Sequence, residues 1–146
     1  MSAQLLSGSE ASKALLDVLK PRVAKLDPKL VIVQVGDDPA SESYIKQKRK
    51  ACEAVGFQST LVRLSETVSE KGLLDKIHEL NNDKSIDGFI VQLPLPKHID
   101  ETKVLEAIAP NKDVDGFHPQ NVGRMVLNLP AYLPATPFGI MHLLKR

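Results

Sequence analysis

Short apolar runs alternate with amphipathic stretches along this sequence, as they do in proteins that alternate strands and helices. The runs KLVIVQVG, FQSTLVRL and IDGFIVQL are rich in β-branched residues and predict three buried strands. Apolar residues at helical spacing predict five helices: from near Ser9 to Val23, from Pro39 to Val55, over 69–80, over 101–108, and from near Pro137 onwards. This alternation favours a three-layer α/β domain with a mostly parallel sheet flanked by helices.

Capping and helix-breaking residues predict where these elements begin and end. Asp38 followed by Pro39 is typical of a helix start, and Gly56 of a helix end. Pro21 falls inside the first helical pattern, so a kink or break is expected there. The stretch KDVDGFHPQNVG, residues 112–123, is rich in turn-forming residues and is predicted to be mostly loop.

Composition narrows the class of protein. The chain has 146 residues, of which 42% are hydrophobic, enough for one domain with its own core. Its formal net charge is only +1, which argues against nucleic-acid and membrane-surface binding, and no apolar run approaches the roughly 20 residues that cross a bilayer. There is no signal-peptide pattern, and the single cysteine, Cys52, fits a reducing compartment. We expect a soluble cytoplasmic domain that binds neither nucleic acid nor membrane.

The segment YIKQKRKAC, residues 44–52, carries four cations, and one of them differs from the others. On a helical wheel, Lys48 lies in the middle of an arc of small and apolar residues, with Tyr44 one turn before it. The other three cations fall outside this arc, as solvated surface would: Lys46, Arg49 and Lys50. Lys48 therefore either extends its amine to water or holds it partly desolvated, where it can lose a proton and act as a base.

Two further segments carry polar groups that need partners. Gln92 lies within the apolar run IVQLPLP, where its amide is either satisfied inside the core or used to bind a ligand. Asp113 and Asp115 lie in the glycine-containing segment KDVDG, where turn formation and ligand binding are both open. Arg124 stands eleven positions after Asp113, where a calcium loop needs its last acidic ligand, and this argues against a calcium loop.

Taken in order, Tyr44-x-x-x-Lys48, VQLPLP, KDVDG and a TP-containing loop before the last helix resemble the methylenetetrahydrofolate dehydrogenase/cyclohydrolase family. The resemblance covers nearly the whole chain. It implies that residues 1–146 are the amino-terminal, folate-binding catalytic domain, with the fold of the amino-acid-dehydrogenase-like amino-terminal domains. The Rossmann domain that binds NAD(P) would be absent from this chain, whose last helix ends without a terminating residue, as in a fragment of a longer protein.

The resemblance also implies an activity and a set of residue roles. The full enzyme would oxidise 5,10-methylenetetrahydrofolate with NAD(P), NADP being the expected choice, and hydrolyse the methenyl product to 10-formyltetrahydrofolate, in one-carbon metabolism and purine biosynthesis. Lys48 would be the central catalytic residue, with Tyr44 stacking on the folate and Gln92 hydrogen-bonding Lys48. Asp115 would hold the pterin ring, and the backbone of Val91, Leu93 and Pro94 would line its pocket. The full-length enzyme would be a homodimer.

Two departures from the family pattern limit these expectations. Ala135 stands in PATP where many members have a cysteine, so no essential thiol is expected there. The chain also lacks a GRSxxVGxP-like stretch and any glycine-rich loop that opens a helix, as a dinucleotide site requires. We therefore expect no cofactor-binding residue in this chain and no NAD(P)-dependent dehydrogenation by it alone.

Three other functions compete with this one. DVDG resembles the aspartate pair of haloacid-dehalogenase-type phosphatases, but AIAPNK precedes it where that motif needs an apolar strand. The basic helix would suit a non-enzymatic domain that binds RNA or protein, although aromatic residues make up only 4% of the chain. An inactive paralogue kept as a structural domain is the third alternative. The histidines show no metal-ligand spacing, so no metal is expected: His78, His98, His118 and His142.

Overall fold

A computed structural model describes residues 6–145, which form six helices and three strands. In chain order these are α1 (Gly8–Leu26), β1 (Lys29–Val35), α2 (Pro39–Val55), β2 (Gln58–Leu64), α3 (Glu70–Asn82), β3 (Gly88–Val91), α4 (Glu101–Ala107), α5 (Pro119–Val126) and α6 (Ala135–Leu144). Each of the three predicted strands is present, although β3 is shorter than its apolar run.

The sheet has the order β2-β1-β3, and both strand pairs are parallel. Ile32 of the central strand aligns with Leu61 of β2 on one side and with Ile90 of β3 on the other. Strand β1 is buried from Leu30 to Val35 because neighbouring strands and helices cover it on every side. A parallel sheet buried in this way requires helices on both faces, as the alternating sequence pattern predicted.

Alternate residues of β1 pack into two cores, one on each face of the sheet. Val31, Val33 and Val35 belong to a core shared with α3 and α4, whose members include Leu73, Ile77 and Val104. Leu30 and Ile32 face α2 instead and pack with Ile45 and Ile90. Helix α1 contacts α2. The three-layer α/β arrangement is confirmed.

The predicted helix ends are confirmed for α2 and need correction for α1. The Asp38 carboxylate accepts a hydrogen bond from the Ser41 N–H at 2.7 Å, and Gly56 ends α2 with φ of +81°. Helix α1 is capped by Ser7, near the predicted Ser9, and it continues through Pro21 to Leu26. The predicted break at Pro21 is therefore wrong. Pro21 lies on the exposed side of α1, where water can solvate the carbonyl that loses its helical donor.

The segment 112–123 is a loop only in its first half. Helix α5 begins at Pro119, inside the stretch predicted to be mostly loop. His118 caps it, because the ring Nδ1 accepts a hydrogen bond from the Gln120 N–H at 3.0 Å, and Pro119 occupies the first helical position. Histidine is not among the common cap residues, so this start signal was missed. The last helix is present and begins at Ala135, two residues before the predicted Pro137.

Candidate active site

Helix α2 holds Lys48 beside the carboxyl end of the sheet. Ile45 is only 2% exposed and anchors the helix on the sheet, and the Lys48 side chain retains 33% of its accessible surface. Tyr44, one turn earlier, is 62% exposed and is not a core residue. The predicted difference between Lys48 and the other cations is confirmed, because Lys48 is partly buried while Lys46, Arg49 and Lys50 are exposed.

Gln92 follows β3 directly and meets Lys48 across the sheet edge. The Gln92 backbone N–H still donates to the Val33 carbonyl at 2.9 Å, so the residue extends the strand pairing. Its side-chain Nε2 donates to the Leu93 carbonyl at 2.7 Å, which leaves Oε1 to accept a hydrogen bond from Lys48 Nζ at 3.1 Å. The polar group in the apolar run is thus paired with the partly buried lysine.

Asp115 lies on the other side of the Lys48 amine. Its Oδ2 is 3.8 Å from Lys48 Nζ, close enough for an ion pair, and its side chain is 20% exposed. Burial raises the pKa of the Asp115 carboxyl; Lys48 opposes this shift and the nearby Asp113 adds to it. Within residues 6–145 no protein group donates a hydrogen bond to this carboxylate, so its oxygens are available to a ligand with N–H groups.

Asp113, two residues away, has a different environment. It is 2% exposed and accepts hydrogen bonds from the backbone N–H groups of Gly116 and His118 and from the side chain of Asn121. A nucleophilic carboxylate must reach its substrate, whereas this one is enclosed and bonded on both oxygens. The structure therefore counts against the phosphatase alternative.

The segment after β3 completes the site with backbone groups. The Leu93 carbonyl also accepts a hydrogen bond from the Ser41 hydroxyl at 3.5 Å. The Leu93–Pro94 peptide bond is cis, and Pro94 is exposed. Val91 is 4% exposed and its side chain belongs to the core on the α3 and α4 face, so only its backbone can face the site. The buried Ser41 was not predicted as a site residue; its position seven residues before Lys48, on the same helical face, is the signal that could have found it.

A polar network between α2 and the sheet was also not predicted from the sequence. Gln34 of β1 is 1% exposed, and its Nε2 donates to Glu42 Oε1 at 3.1 Å. Arg63 of β2 donates to both oxygens of Glu42, with Nη2 at 3.0 Å from Oε2. This network ties the first turn of α2 to two strands and so helps to fix the helix that carries Lys48. The position of Gln34 inside the apolar run KLVIVQVG is the feature of the sequence that could have predicted this network.

The described residues do not fit two other kinds of ligand. No group of three or more His, Cys, Asp or Glu side chains within residues 6–145 is arranged to hold a metal ion. In the same part of the chain, no loop that precedes a helix contains more than one glycine, so none matches the phosphate-binding loop of a dinucleotide site.

Comparison with known proteins agrees with this geometry. The family model "Tetrahydrofolate dehydrogenase/cyclohydrolase, catalytic domain" matches residues 6–115. The bifunctional protein FolD of Cytophaga hutchinsonii is 59% identical over 98% of this chain, which covers 51% of that relative. FolD of Geobacillus thermodenitrificans is 52% identical over 99% of the chain, which covers 53% of it. The chain spans about half the length of the curated relatives it matches.

Solved structures give the same result. The bifunctional FolD enzyme of Campylobacter jejuni superposes with a TM-score of 0.94 at 43% identity, over 99% of this chain and 53% of that one. The FolD enzyme of Trypanosoma brucei, whose structure is a complex with NADP cofactor and inhibitor, gives a TM-score of 0.91 at 33% identity, over 99% of this chain and 52% of that one. With its family model matched and its fold shared, this chain belongs to the tetrahydrofolate dehydrogenase/cyclohydrolase family.

Proposed function

We propose that this chain is the folate-binding catalytic half of a bifunctional enzyme. The whole enzyme oxidises 5,10-methylenetetrahydrofolate to the 5,10-methenyl form with NAD(P) and hydrolyses that product to 10-formyltetrahydrofolate. The observation that carries the proposal is the convergence of Lys48, Gln92 and Asp115, from three separate segments, at the carboxyl edge of the sheet. Ligands of open α/β sheets commonly bind at this edge.

The folate ring is held by groups of complementary chemistry. The aminopyrimidinone edge of a pterin carries N–H donors, and the Asp115 carboxylate can accept them in charge-assisted hydrogen bonds. Tyr44 provides an exposed aromatic face one turn from Lys48. The backbone of Val91, Leu93 and Pro94 lines the adjoining wall. Lys48 lies beside both groups, 3.8 Å from Asp115 Oδ2 and one helical turn from Tyr44.

Lys48 is the catalytic base of the hydrolytic step. The methenyl group carries a positive charge, and its repulsion favours the neutral form of the nearby amine. The neutral amine takes a proton from water as the water oxygen attacks the methenyl carbon. The hydroxyl on that carbon then loses its remaining proton and becomes the formyl carbonyl as the bond to N5 breaks, N5 gains a proton in exchange, and the formyl group remains on N10. Gln92 Oε1, at 3.1 Å, holds the amine in place for this transfer.

Among residues 6–145 no loop before a helix has the glycines of a dinucleotide site, so we assign these residues no step of the oxidation beyond binding and orienting the folate. We propose that NAD(P) binds the part of the enzyme that corresponds to the unmatched half of the relatives. Helix α6 is apolar on several sides and exposed, with Phe138 at 53%, Ile140 at 54% and Leu144 at 61%, which suits packing against that half. The chain alone is expected not to reduce NADP⁺.

We propose that the full-length enzyme is a homodimer. Strand β2 pairs with β1 along one side only, and within the described residues its other edge has no partner strand. Such an edge can pair with a second copy of itself. Sedimentation of the full-length enzyme at micromolar concentration tests this, and a monomer would contradict it.

We also propose a cytoplasmic location. Cys52 is the single cysteine of the sequence and is free, which suits a reducing compartment. Across residues 6–145, every helix is too short or too polar to cross a membrane. Fractionation of the source cells, with the enzyme followed by its cyclohydrolase activity, tests the location.

Calorimetric titration with 5-formyltetrahydrofolate tests the proposed function. Asp115→Ala removes the acceptor for the pterin edge, and we expect the affinity to fall about 10- to 100-fold, since hydrogen bonds to a charged group contribute about 1.5–3 kcal/mol. Lys46→Ala, on the same helix but exposed, is the matched control and is expected to bind like the wild type. If Lys46→Ala weakened binding as much as Asp115→Ala, the basic-helix alternative would replace this proposal.

A second control for that titration tests whether the 146-residue chain binds folate without the rest of the enzyme. A full-length protein, run beside the 146-residue chain, shows whether the second half is needed to close the site. Failure of both to bind folate would refute the proposed function. Reduction of NADP⁺ by the 146-residue chain with methylenetetrahydrofolate would refute its division between two halves.

A further inference from the structure

The segment that carries Asp115 is built around a second, fully enclosed carboxylate. Asp113 is 2% exposed and forms a β-bridge with Phe89 of β3. Its Oδ1 accepts from the Gly116 N–H at 3.1 Å, and its Oδ2 accepts from the His118 N–H at 2.9 Å and from Asn121 Nδ2 at 2.9 Å. No cation within the described residues forms an ion pair with it. Among residues 6–145 its hydrogen-bond partners are N–H donors alone.

We propose that Asp113 is a positioning residue for the folate site, whose enclosed carboxylate fixes the turn that presents Asp115 to Lys48 and to the pterin ring. This inference rests on the proposed function, because it assigns a cause to the placement of the carboxylate that binds the folate. It adds a residue that touches neither the substrate nor Lys48.

The turn is fixed on both sides of Asp115. After it, Gly116 has φ of +72°, and an added Cβ would lie 2.7 Å from the Leu133 carbonyl carbon and 2.8 Å from the Pro134 nitrogen. Before it, the Val114 side chain lies over Gly88 of β3, where an added Cβ would overlap Val114 Cγ1. The segment is therefore packed between β3 and the chain that leads into α6, and the hydrogen bond from Gly116 to Asp113 closes it.

The hydrogen-bond geometry requires a carboxylate at position 113. All three partners are donors, and an aspartate accepts with both oxygens. An asparagine has the same shape, but in either orientation its NH₂ group would face at least one of these N–H donors. Asp113→Asn thus keeps the volume of the side chain while loosening one side of the turn.

The same charge acts on Asp115 through space. Burial is the first cause of the raised pKa of Asp115, Lys48 of α2 opposes it, and Asp113 raises it further. Removing the charge at 113 should lower the pKa of Asp115. A role of Asp113 in stability alone would lower the melting temperature and leave the folate affinity of the folded protein unchanged, so the affinity separates the two roles, and the titration reports that the two carboxyl groups lie close together.

The experiment uses the 146-residue chain and the full-length protein with Asp113→Asn, and with Asp75→Asn, an exposed carboxylate of α3, as matched control. We expect Asp113→Asn to weaken 5-formyltetrahydrofolate binding about 5- to 30-fold at neutral pH, as loss of one well-placed charge-assisted contact does. In the ligand-free protein, the ¹³C NMR titration of the Asp115 carboxyl should move to lower pH. Asp75→Asn should change neither quantity.

A folded Asp113→Asn variant with unchanged folate affinity would overturn the proposal, and so would an unmoved Asp115 titration, because the charge at position 113 would then not lie beside Asp115. If this variant does not fold, Asn121→Ser removes one donor and keeps the charge; a folded Asn121→Ser protein should bind folate more weakly, and wild-type affinity would overturn the positioning role. Because the Asp115 titration needs no ligand, its result stands even if the wild type fails to bind folate. That failure would refute the proposed function separately.

Discussion

The coupling between Lys48 and Asp115 can be measured directly. Their charged atoms are 3.8 Å apart. At an effective dielectric constant of about 20, Coulomb's law gives about 4 kcal/mol for this separation, which is an upper limit. The side chains retain 33% and 20% of their accessible surface, so water screens the pair, and fully exposed pairs contribute only about 0.2–1 kcal/mol. We expect a coupling free energy of about 1–2 kcal/mol, between these two cases.

A double-mutant cycle isolates this quantity. The free energy of unfolding in urea is measured for the wild type, Lys48→Met, Asp115→Asn and the double variant, and the non-additive part is the coupling. Lys46→Met combined with Asp115→Asn is the matched control, because Lys46 is exposed on the same helix and should show no coupling. The coupling should also disappear in acid, where Asp115 is protonated in the folded protein.

Coupling below about 0.3 kcal/mol, the usual error of such cycles, would refute the placement of Asp115 opposite Lys48. Equal coupling with Lys46 would mean that the cycle reports a general charge effect of α2. The same Lys48→Met variant, made in the full-length enzyme, should lose about 10²- to 10⁴-fold in cyclohydrolase rate, as expected on removal of a general base.

Four further substitutions test the stability of the protein. Lys112→Met should lower the free energy of unfolding in urea by about 1.5–3 kcal/mol, because the buried ammonium donates to two carbonyls at the end of α3. Substitution of the exposed Lys84 by Met is the control, and an equal loss of stability in Lys84→Met would refute the reasoning. Gly116→Ala should destabilise the protein by more than about 1 kcal/mol, since its φ is +72° and its Cβ would overlap the backbone of 132–134. Gly139→Ala in α6 meets nothing within 4 Å and should instead stabilise by about 0.5–1 kcal/mol, so thermal melts of the two variants that moved in the same direction would contradict one of the two predictions. Because the folded-state pKa of Asp115 is raised above 3.8, the folded state binds this proton more tightly than the unfolded state, and stability from this group falls as the pH rises through that titration. The melting temperature of Asp115→Asn minus that of the wild type should therefore increase from acid to neutral pH. A decrease in this difference over the same pH range would mean that the pKa of Asp115 is lowered in the folded protein.

Local signals predicted most of the elements correctly. The start of α2 at Asp38 and Pro39 and its end at Gly56 depend on residues within one helical turn, so they can be read from the sequence. The wheel separated Lys48 from the exposed cations for the same reason, since the helical period fixes which residues share a face. The errors arose where a local signal was weak or overruled, as at Pro21, which the exposed face of α1 tolerates, and at His118, an unusual cap.

The sequence by itself determined the α/β class, the order of strands and helices, and the family pattern that names Lys48, Gln92 and Asp115. Only the tertiary structure decided that these three residues meet, because they are separated by 44 and 23 positions and the parallel pairing of β1 with β3 brings their segments together. It also decided that Asp113 is enclosed while Asp115 is open to a ligand, although both stand in KDVDG. The reason is physical: helix caps and periodicity act over a few residues, whereas burial, charge proximity and the pKa of a carboxyl depend on every group that the fold places around it.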